Sequence, residues 1–314
     1  MTDASIYGAL VEACRGERPF ALGLITEATG SCPRRPGAKA IFFADGAITG
    51  TVGGGALEAE VQRRAEDSLR SGQPAAFEFA LDHAVVEGGG PMCGGTVRAL
   101  VLPHARAAEV IWAALVAPVE PRCWGVAEDF TIRWADSPSE AWQYIETVGP
   151  LPALWVAGAG HIAQAVAALA LDLDFAVTVF DDRPTWADPR RFPAETHLAV
   201  GAWEELLRRP LPSVPTFGLI VTRGHEHDAL VLAEWIHRPF AYLGMIGSRR
   251  KARIMREHFL AQGLAGAAAL DRVHCPVGLP IEAETVPEIA VSIAAQLVQE
   301  RARLREGEAE LSRP

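Results

Sequence analysis

A glycine-rich turn in the second half of the chain has the residue types and spacing that grip a phosphate. Residues 158–163 read GAGHIA, which matches the pattern G-x-G-x-x-G/A between a hydrophobic strand and a helix. In this pattern Gly158 permits the tight turn, Gly160 lets the backbone approach a phosphate, and Ala163 allows the helix to pack closely on the strand. The helix begins at His161. The turn therefore predicts a bound phosphate.

An acidic residue follows this turn at the spacing expected of a nucleotide site. Asp181 ends the next predicted strand, 23 residues after Gly158, where a ribose-binding acid is expected. Its charge would also repel a 2′-phosphate. The alternative is a Rossmann domain that keeps its glycines for packing alone, because a fold does not by itself establish a function.

A cationic segment follows a later strand of the second half. Ser248 can cap a helix whose first turn then holds Arg249, Arg250 and Lys251. Cations at the N-terminus of a helix oppose the helix dipole, so a bound anion would explain them. Arginines that are simply solvated are the alternative, since salt weakens such repulsion.

Two histidines follow the predicted strand 217–223. Residues 225–228 read HEHD and should lie at the carboxyl edge of the sheet, facing the same crevice as Gly158. His225 could donate a hydrogen bond to a ligand there. A metal site would need at least one more ligand. The alternative is that Asp228 caps a helix and both histidines lie on the surface.

The first half contains two glycine-rich loops that suit an anion or close docking. Residues 30–39 read GSCPRRPGAK and hold three cations, and residues 50–55 read GTVGGG just before a helix. Solvated charges on ordinary turns are the alternative, with Glu58 strengthening the helix start. The candidate contacts are Ser31 and Arg34 in the first loop and Gly53, Gly54 and Gly55 in the second.

One of the five cysteines is a candidate functional residue. The cysteines are scattered without a C-x-x-C pair, so the sequence indicates neither a disulfide framework nor a structural zinc site. Cys93 precedes paired glycines that would expose its thiol, whereas Cys14 and Cys123 lie in apolar settings typical of a core. Cys93 is therefore the candidate.

Short strands and one helix account for the first half of the chain. The expected strands span 20–28, 40–46, 75–82 and 96–103, the helix spans 56–70, and 123–127 with 130–134 form a hairpin. These elements predict a smaller N-terminal α/β domain. Gly149, Pro150 and Pro152 interrupt structure just before the next strand, which places the domain boundary between 1–150 and 151–314.

The second half alternates strands with helices. Hydrophobic runs beginning at Ala153, Ala176, Phe217 and Ala241 alternate with helical segments. Such alternation is typical of a Rossmann-type, doubly wound parallel sheet. A capping box at Thr285 and Glu288 is expected to start the last helix. The fold class is therefore α/β.

Composition excludes several classes of protein. The chain has 314 residues, of which 49% are hydrophobic and 22% charged, so it can bury two ordinary cores. Its 29 Lys and Arg against 39 Asp and Glu give a net charge of −10, which argues against a nucleic-acid partner. No apolar run approaches the roughly 18 residues that cross a bilayer, and no signal core is present. We therefore expect no membrane association and a cytoplasmic location.

Taken together, these segments resemble the xanthine dehydrogenase accessory protein family, XdhC with its relative CoxI. The resemblance covers nearly the whole chain and rests on GSCPRRPGAK, TVGGGALE, MCGG, VAGAGHIAQA, VFDDRPTWADPRRFP, YLGMIGSRRK, CPVGL and PEIAVSIAAQL in the family's order. Two segments depart from the family pattern. Members often carry T-H-x-H where this chain has Thr222-Arg223-Gly224-His225, and T-P-E-E-I-A where it has TVPEIA.

The resemblance implies a chaperone rather than an enzyme. Such a protein binds molybdenum cofactor (molybdopterin) while a cysteine desulfurase supplies sulfur, and then inserts it into the large subunit of a molybdenum hydroxylase. The cofactor is a phosphorylated pyranopterin, so it needs a phosphate cradle and hydrogen-bond partners. By the matched motifs, His161 would lie near the phosphate, Asp181 and Arg183 near a polar edge, and Cys93 near the molybdenum.

Two other functions remain open at this point. An NAD-dependent oxidoreductase would explain the same turn and Asp181, but the chain shows no clear proton-transfer group beyond His225 and His227. A ligand-free interaction scaffold would use the glycine-rich loops for docking alone. A homodimer is an open alternative to a monomer.

Overall fold

The computed structural model describes residues 3–30, 36–80, 95–135 and 141–311. The chain divides into two compact units, Met1–Pro150 and Leu151–Pro314. In the described ranges the first unit has two sheets and the second has one, and each unit has its own buried cores. Within the described ranges, no helix is both long and apolar enough to cross a bilayer.

The first unit is built on antiparallel strands with helices packed against them. Its strands are β1 (Phe20–Gly30), β2 (Lys39–Phe43), β3 (Ile48–Gly50), β4 (Ala75–Ala80), β5 (Gly95–Leu102), β6 (Arg122–Ala127), β7 (Ile132–Trp134) and β8 (Trp142–Val148). Its helices are α1 (Asp3–Arg15), α2 (Gly55–Ser71) and α3 (Glu109–Leu115). A five-stranded sheet has the order β3-β2-β1-β5-β4, and a three-stranded sheet has the order β7-β6-β8.

The central strand β1 has a core on each of its faces. Leu22 and Leu24 pack into the core that contains α1 and α3, while Ala21 and Ile25 pack into the core that contains α2. This alternation follows from the two-residue period of a strand. The strands, the helix and the hairpin predicted for the first half are confirmed. The elements α1, α3, β3 and β8 have no counterpart among those predictions.

The second unit alternates strands and helices along most of its length. Its strands are β9 (Ala153–Ala157), β10 (Ala176–Asp181), β11 (His197–Val200), β12 (Thr216–Ile220), β13 (Tyr242–Met245) and β14 (Val273–His274). Its helices are α4 (His161–Asp172), α5 (Trp203–Leu206), α6 (His225–Trp235), α7 (Arg249–Ala261), α8 (Ala267–Asp271) and α9 (Val286–Leu311).

The six strands of the second unit form one parallel sheet covered on both faces. The order is β11-β10-β9-β12-β13-β14, and every pairing is parallel. Trp155 of β9 packs with α6 and α7, while its neighbours Leu154 and Val156 pack with α4 and α9. Helices therefore cover both sheet faces, and the predicted Rossmann-type doubly wound α/β fold is confirmed.

Two helix starts in the second unit test predictions from the sequence. Thr285 N–H donates to the Glu288 carboxylate at 2.9 Å, and Glu288 N–H donates to Thr285 Oγ1 at 3.5 Å, so the expected capping box forms. The prediction that Asp228 caps α6 is wrong, because α6 begins at His225 after Gly224. Asp228 instead lies inside the first helical turns.

Candidate functional site

The loops that carry the candidate residues of the second unit meet at one edge of the sheet. β9 lies between β10 and β12, and the strand order reverses direction at β9. In open parallel sheets, ligands bind outside the carboxyl ends of the strands at such a reversal. The loops that follow β9, β10 and β12 flank this crevice.

Gly158 is glycine because neither its backbone nor its surroundings accept a side chain. Its φ is +107°, in the left-handed region. A Cβ at this position would lie 2.4 Å from the carbonyl oxygen of Val221 and 2.9 Å from Cα of Thr222. The turn after β9 therefore packs directly on the loop after β12, and Gly158 permits that contact.

Gly160 differs, because its glycine has no explanation within the protein. Its φ is −70°, which any residue adopts, and a Cβ there would meet nothing within 4 Å. It is the N-cap of α4, and no side chain caps this helix. His161, the first helical residue, is exposed, with its ring edge-on to Trp186 at a centroid distance of 5.4 Å. Open space thus lies in front of an uncapped helix N-terminus, a ready anion site.

Ala163 has a packing role. Its side chain is fully buried between α4 and the sheet, as the G-x-G-x-x-G/A pattern predicts. The backbone N–H groups of residues 161–163 have no hydrogen-bond partner in the part of the chain that the structure describes. Ala163 can therefore offer a ligand its N–H but not its side chain.

Asp181 holds the turn in place. Its side chain is 1% exposed, and Oδ2 accepts hydrogen bonds from the N–H of Ala159 at 2.7 Å and from Nη2 of Arg183 at 2.8 Å. Oδ1 accepts from the N–H and Nε of Arg183. A carboxylate has about four acceptor positions, so this one has none left for a ribose hydroxyl. Burial raises the pKa of Asp181, but these hydrogen bonds outweigh it and hold the pKa below its usual range.

Arg183 is likewise engaged within the protein. Its two hydrogen bonds to Asp181 are bidentate, and its guanidinium lies 5.1 Å from the ring centroid of Trp186. Arg191 lies 5.0 Å from the same ring. Neither Trp186 nor Arg191 is among the site residues predicted from the sequence, although both lie in the family segment 179–193.

The loop after β12 brings a buried ion pair and an exposed arginine to the crevice. Asp228 is buried, accepts a hydrogen bond from Thr222 Oγ1 at 2.6 Å and forms an ion pair with Lys251. Arg223 donates through Nη2 to Asp182 Oδ2 at 3.0 Å and to His227 Nε2 at 2.9 Å.

His225 begins α6 with an exposed side chain for which no hydrogen bond is found among the described residues. It thus lies at the carboxyl edge, as the sequence predicts. Any contact with a ligand stays a prediction.

The cationic segment after β13 contains one side chain that binds other parts of the protein and two that are exposed. Ser248 caps α7 by accepting the N–H of Lys251 at 3.2 Å, as predicted. Lys251 turns back to Asp228 and to the carbonyl of Ile246. Arg249 and Arg250 are exposed and have no ion pair within the described ranges. These two can still meet an anion.

The triple glycine of the first unit has a backbone explanation. Gly53, Gly54 and Gly55 have φ of +139°, +75° and +58°, all in the region that favours glycine. Glu58 accepts hydrogen bonds from Thr51 Oγ1 at 2.6 Å and from the N–H of Val52 at 3.2 Å. Glu58 therefore fixes the loop itself, beyond strengthening the start of α2. Anion binding here stays a prediction.

Lys39, one of the three cations of the segment 30–39, is buried in the first unit. Its ammonium pairs with Glu146 at 2.6 Å and donates to the carbonyl of Gly37 at 2.8 Å. The rings of Tyr7 and Trp124 lie around it, each 5.6 Å from the nitrogen to the ring centroid. Burial, with Glu146 nearby, raises the pKa of Tyr7. Lys39 therefore binds the turn to the three-stranded sheet and does not offer its charge to a ligand.

We expect Glu146→Gln to lower the free energy of unfolding of the first unit by about 2 kcal/mol, because a buried ammonium would lose its carboxylate. The side chain of Lys39 is 3% exposed and that of Glu146 is 22% exposed. Urea denaturation followed by tryptophan fluorescence measures the loss. The double variant Lys39→Met, Glu146→Leu removes both charges and should recover most of it. Wild-type stability in Glu146→Gln would contradict the argument.

Three predicted site residues, Ser31, Arg34 and Cys93, lie outside the described residues. Among the described residues, no group of three or more His, Cys, Asp or Glu could hold a metal ion. Cys14 is buried as predicted, whereas Cys123 is half-buried. Burial raises the pKa of Cys14, which favours the neutral thiol over a thiolate ligand.

Two family models match the chain. The model described as the XdhC and CoxI family matches residues 13–80, and the model described as the XdhC Rossmann domain matches residues 154–297. The second match contains every loop at the carboxyl edge of the parallel sheet.

Two curated proteins and one solved structure are similar to this chain. The uncharacterized protein YqeB of Escherichia coli (strain K12) is 30% identical over 286 residues, 90% of this chain and 43% of that protein. A probable xanthine dehydrogenase subunit from Bacillus subtilis (strain 168) is 29% identical over 161 residues, 51% of this chain and 46% of that protein. The chain thus spans less than half the length of these relatives.

The solved structure is that of a xanthine dehydrogenase from Bacillus halodurans. It matches with a TM-score of 0.79 and 22% identity over 96% of each chain, a likeness that concerns the fold alone. The two family models cover the cores of both units and agree with the motifs of the sequence. This chain belongs to the XdhC and CoxI family of accessory proteins, and its second unit is the XdhC Rossmann domain.

Proposed function

We propose that this protein binds molybdenum cofactor as cargo, holds it while a cysteine desulfurase supplies sulfur, and inserts it into the large subunit of a xanthine dehydrogenase-type hydroxylase. These exchanges would take place in the cytoplasm. The observation that carries the proposal is the open space at Gly160, in front of the uncapped N-terminus of α4. A phosphate of the pyranopterin fits this place, because free N–H groups and the helix dipole both favour an anion.

The side chains around this N-terminus support an anionic cargo. His161 is exposed beside it, and Arg249 and Arg250 are exposed at the same edge of the sheet without an ion pair in the described part of the chain. Cys93 remains the proposed contact to the molybdenum or its sulfur, and Ser31 and Arg34 remain proposed contacts in the first unit. The family assignment supports all three.

The alternative of a nicotinamide-dependent oxidoreductase has less support. Recognition of the adenosine ribose in such enzymes needs an acid at the end of the second strand with free acceptor positions. Asp181 occupies that place, but Ala159 and Arg183 fill its acceptors. A ribose would have to displace a bidentate arginine from a buried carboxylate. A ligand-free scaffold leaves the glycine at position 160 unexplained.

The test is purification of the full chain under anaerobic conditions from cells that make the cofactor. Pterin fluorescence after oxidation and metal analysis give the pterin and molybdenum content per chain, and we expect about one of each. Cells blocked in pterin synthesis provide the control. Transfer to an apo-hydroxylase then tests delivery. Absence of pterin, together with tight NADH binding, would overturn the proposal in favour of the oxidoreductase.

A further inference from the structure

An ion pair joins the loops on either side of the glycine turn. Asp182 follows β10, and Arg223 follows β12, the two strands that flank β9. Their side chains meet at 3.0 Å, from Arg223 Nη2 to Asp182 Oδ2. Neighbouring strands lie about 5 Å apart, and β10 and β12 lie on either side of β9. The pair therefore spans the end of β9, next to the turn that begins at Gly158 and hence next to the proposed phosphate site.

Arg223 has donors to spare. Nη2 donates to Asp182 and to Nε2 of His227. The other guanidinium nitrogens, Nη1 and Nε, have no partner among the residues that the structure describes. A guanidinium presents five N–H donors in a planar fork that matches phosphate oxygens. Arg223 therefore has unused N–H donors that can bind an anion.

Arg223 is also easier to release than the other engaged cations of this edge. Arg183 pairs with Asp181 and Lys251 with Asp228, and both carboxylates are buried, with side chains 1% and 2% exposed. A buried carboxylate left without its partner is costly. Asp182, by contrast, is 26% exposed and keeps Arg183 Nε at 3.7 Å. It would therefore still have a cationic neighbour if Arg223 moved to a ligand.

We infer that Arg223 is the side chain that binds the phosphate of the cargo, and that Asp182 competes with this phosphate for the guanidinium. This inference rests on the proposed function. It assigns opposite effects to the two members of one ion pair. Loss of Arg223 removes a charge-assisted contact, whereas neutralising Asp182 weakens the competing acceptor and removes a negative charge next to the phosphate.

The test titrates the full chain, freed of pterin, with molybdenum cofactor released anaerobically from a purified molybdenum enzyme. We expect Arg223→Met to raise the dissociation constant about tenfold, Arg223→Lys to raise it less, and Asp182→Asn to lower it about threefold. The matched controls are Arg256→Met and Asp271→Asn, which break an ion pair of 2.8 Å on α7 and α8. They should leave the dissociation constant unchanged.

The outcomes separate this inference from the proposed function. A wild-type protein that binds no cofactor overturns both. A wild-type protein that binds it, with Arg223→Met and Asp182→Asn weakening binding alike, shows that the pair only braces the two loops and overturns the inference alone. Thermal melting of each variant tests this bracing role directly. Inorganic phosphate should compete with the cofactor in wild type and compete less well in Arg223→Met.

Discussion

Gly158→Ala should lower the free energy of unfolding of the second unit by about 4 kcal/mol. The turn requires a left-handed backbone at this position. Alanine rarely adopts that conformation, and the resulting backbone strain costs roughly 1–3 kcal/mol. The alanine Cβ would also lie 2.4 Å from the carbonyl oxygen of Val221, so two backbone segments must move apart, at a further 1–3 kcal/mol or so. Urea denaturation of the full chain, with hydrogen exchange of the β9 and α4 amides, measures the loss.

The matched variant is Gly160→Ala, two residues away in the same turn. Its φ of −70° suits alanine and its Cβ meets nothing within 4 Å, so we expect a loss of about 1 kcal/mol or less from the poorer N-cap. The methyl group would occupy the space proposed for the phosphate, so pterin retention should fall at least about tenfold. Unchanged pterin content in Gly160→Ala would remove the phosphate from this turn.

The two glycines show what the sequence predicts and what it leaves open. The pattern at 158–163 predicts the turn, its place after a strand, and the packing of Ala163, because these depend on neighbours in the chain. The reason for Gly158 depends on Val221, which is far away in the sequence. That contact exists only because β12 pairs with β9. No local pattern carries the strand order.

In the first unit, a charged residue likewise has a role that depends on contacts distant in the sequence. The loop 30–39 contains three cations, and local sequence treats them alike. Lys39 differs because Glu146 and Trp124, from strands more than 80 residues later, surround it. Of these two strands, the sequence predicts the one that carries Trp124 but not the one that carries Glu146. Their antiparallel order, and hence this contact, is not predictable from local sequence.

The acidic residue that ends β10 shows that spacing can predict a residue's position without predicting its role. The 23-residue interval to Asp181 fits an acid that binds a ribose and equally an acid that binds the glycine turn. The deciding feature is the arginine two residues later, whose side chain folds back on the carboxylate. In the sequence, Arg223 stands out only because it departs from the family pattern T-H-x-H. Its contact with Asp182 emerges from the strand order β10-β9-β12.

Asp181→Asn should lower the free energy of unfolding of the second unit by about 3 kcal/mol at neutral pH. An asparagine amide would turn its N–H donors toward the N–H of Ala159 or toward the guanidinium of Arg183, which are donors themselves. The side chain is 1% exposed, so water cannot relieve the clash. Unsatisfied buried polar groups, one of them charged, cost this much.

The dependence of stability on pH gives a second measurement for the same variant. Hydrogen bonds hold the pKa of Asp181 below its usual range in the folded chain. Its contribution to stability is therefore present above the unfolded pKa of about 3.9 and is lost as the pH falls through the lower folded value. The asparagine in Asp181→Asn does not titrate. The free energy of unfolding of this variant should therefore fall less steeply than that of wild type as the pH drops below about 4.

The control for both measurements is Asp182→Asn, the neighbouring residue in the same loop. Its side chain is 26% exposed and its ion pair with Arg223 is partly solvated, so we expect a loss of less than about 1 kcal/mol. An equal loss in the two variants would show that Asp181 does not hold the turn. Suppose that Asp181→Asn kept wild-type stability and lost stability below about pH 4 as steeply as wild type does. The carboxylate would then have free acceptor positions. The ribose-binding role, and with it the oxidoreductase, would then regain its support.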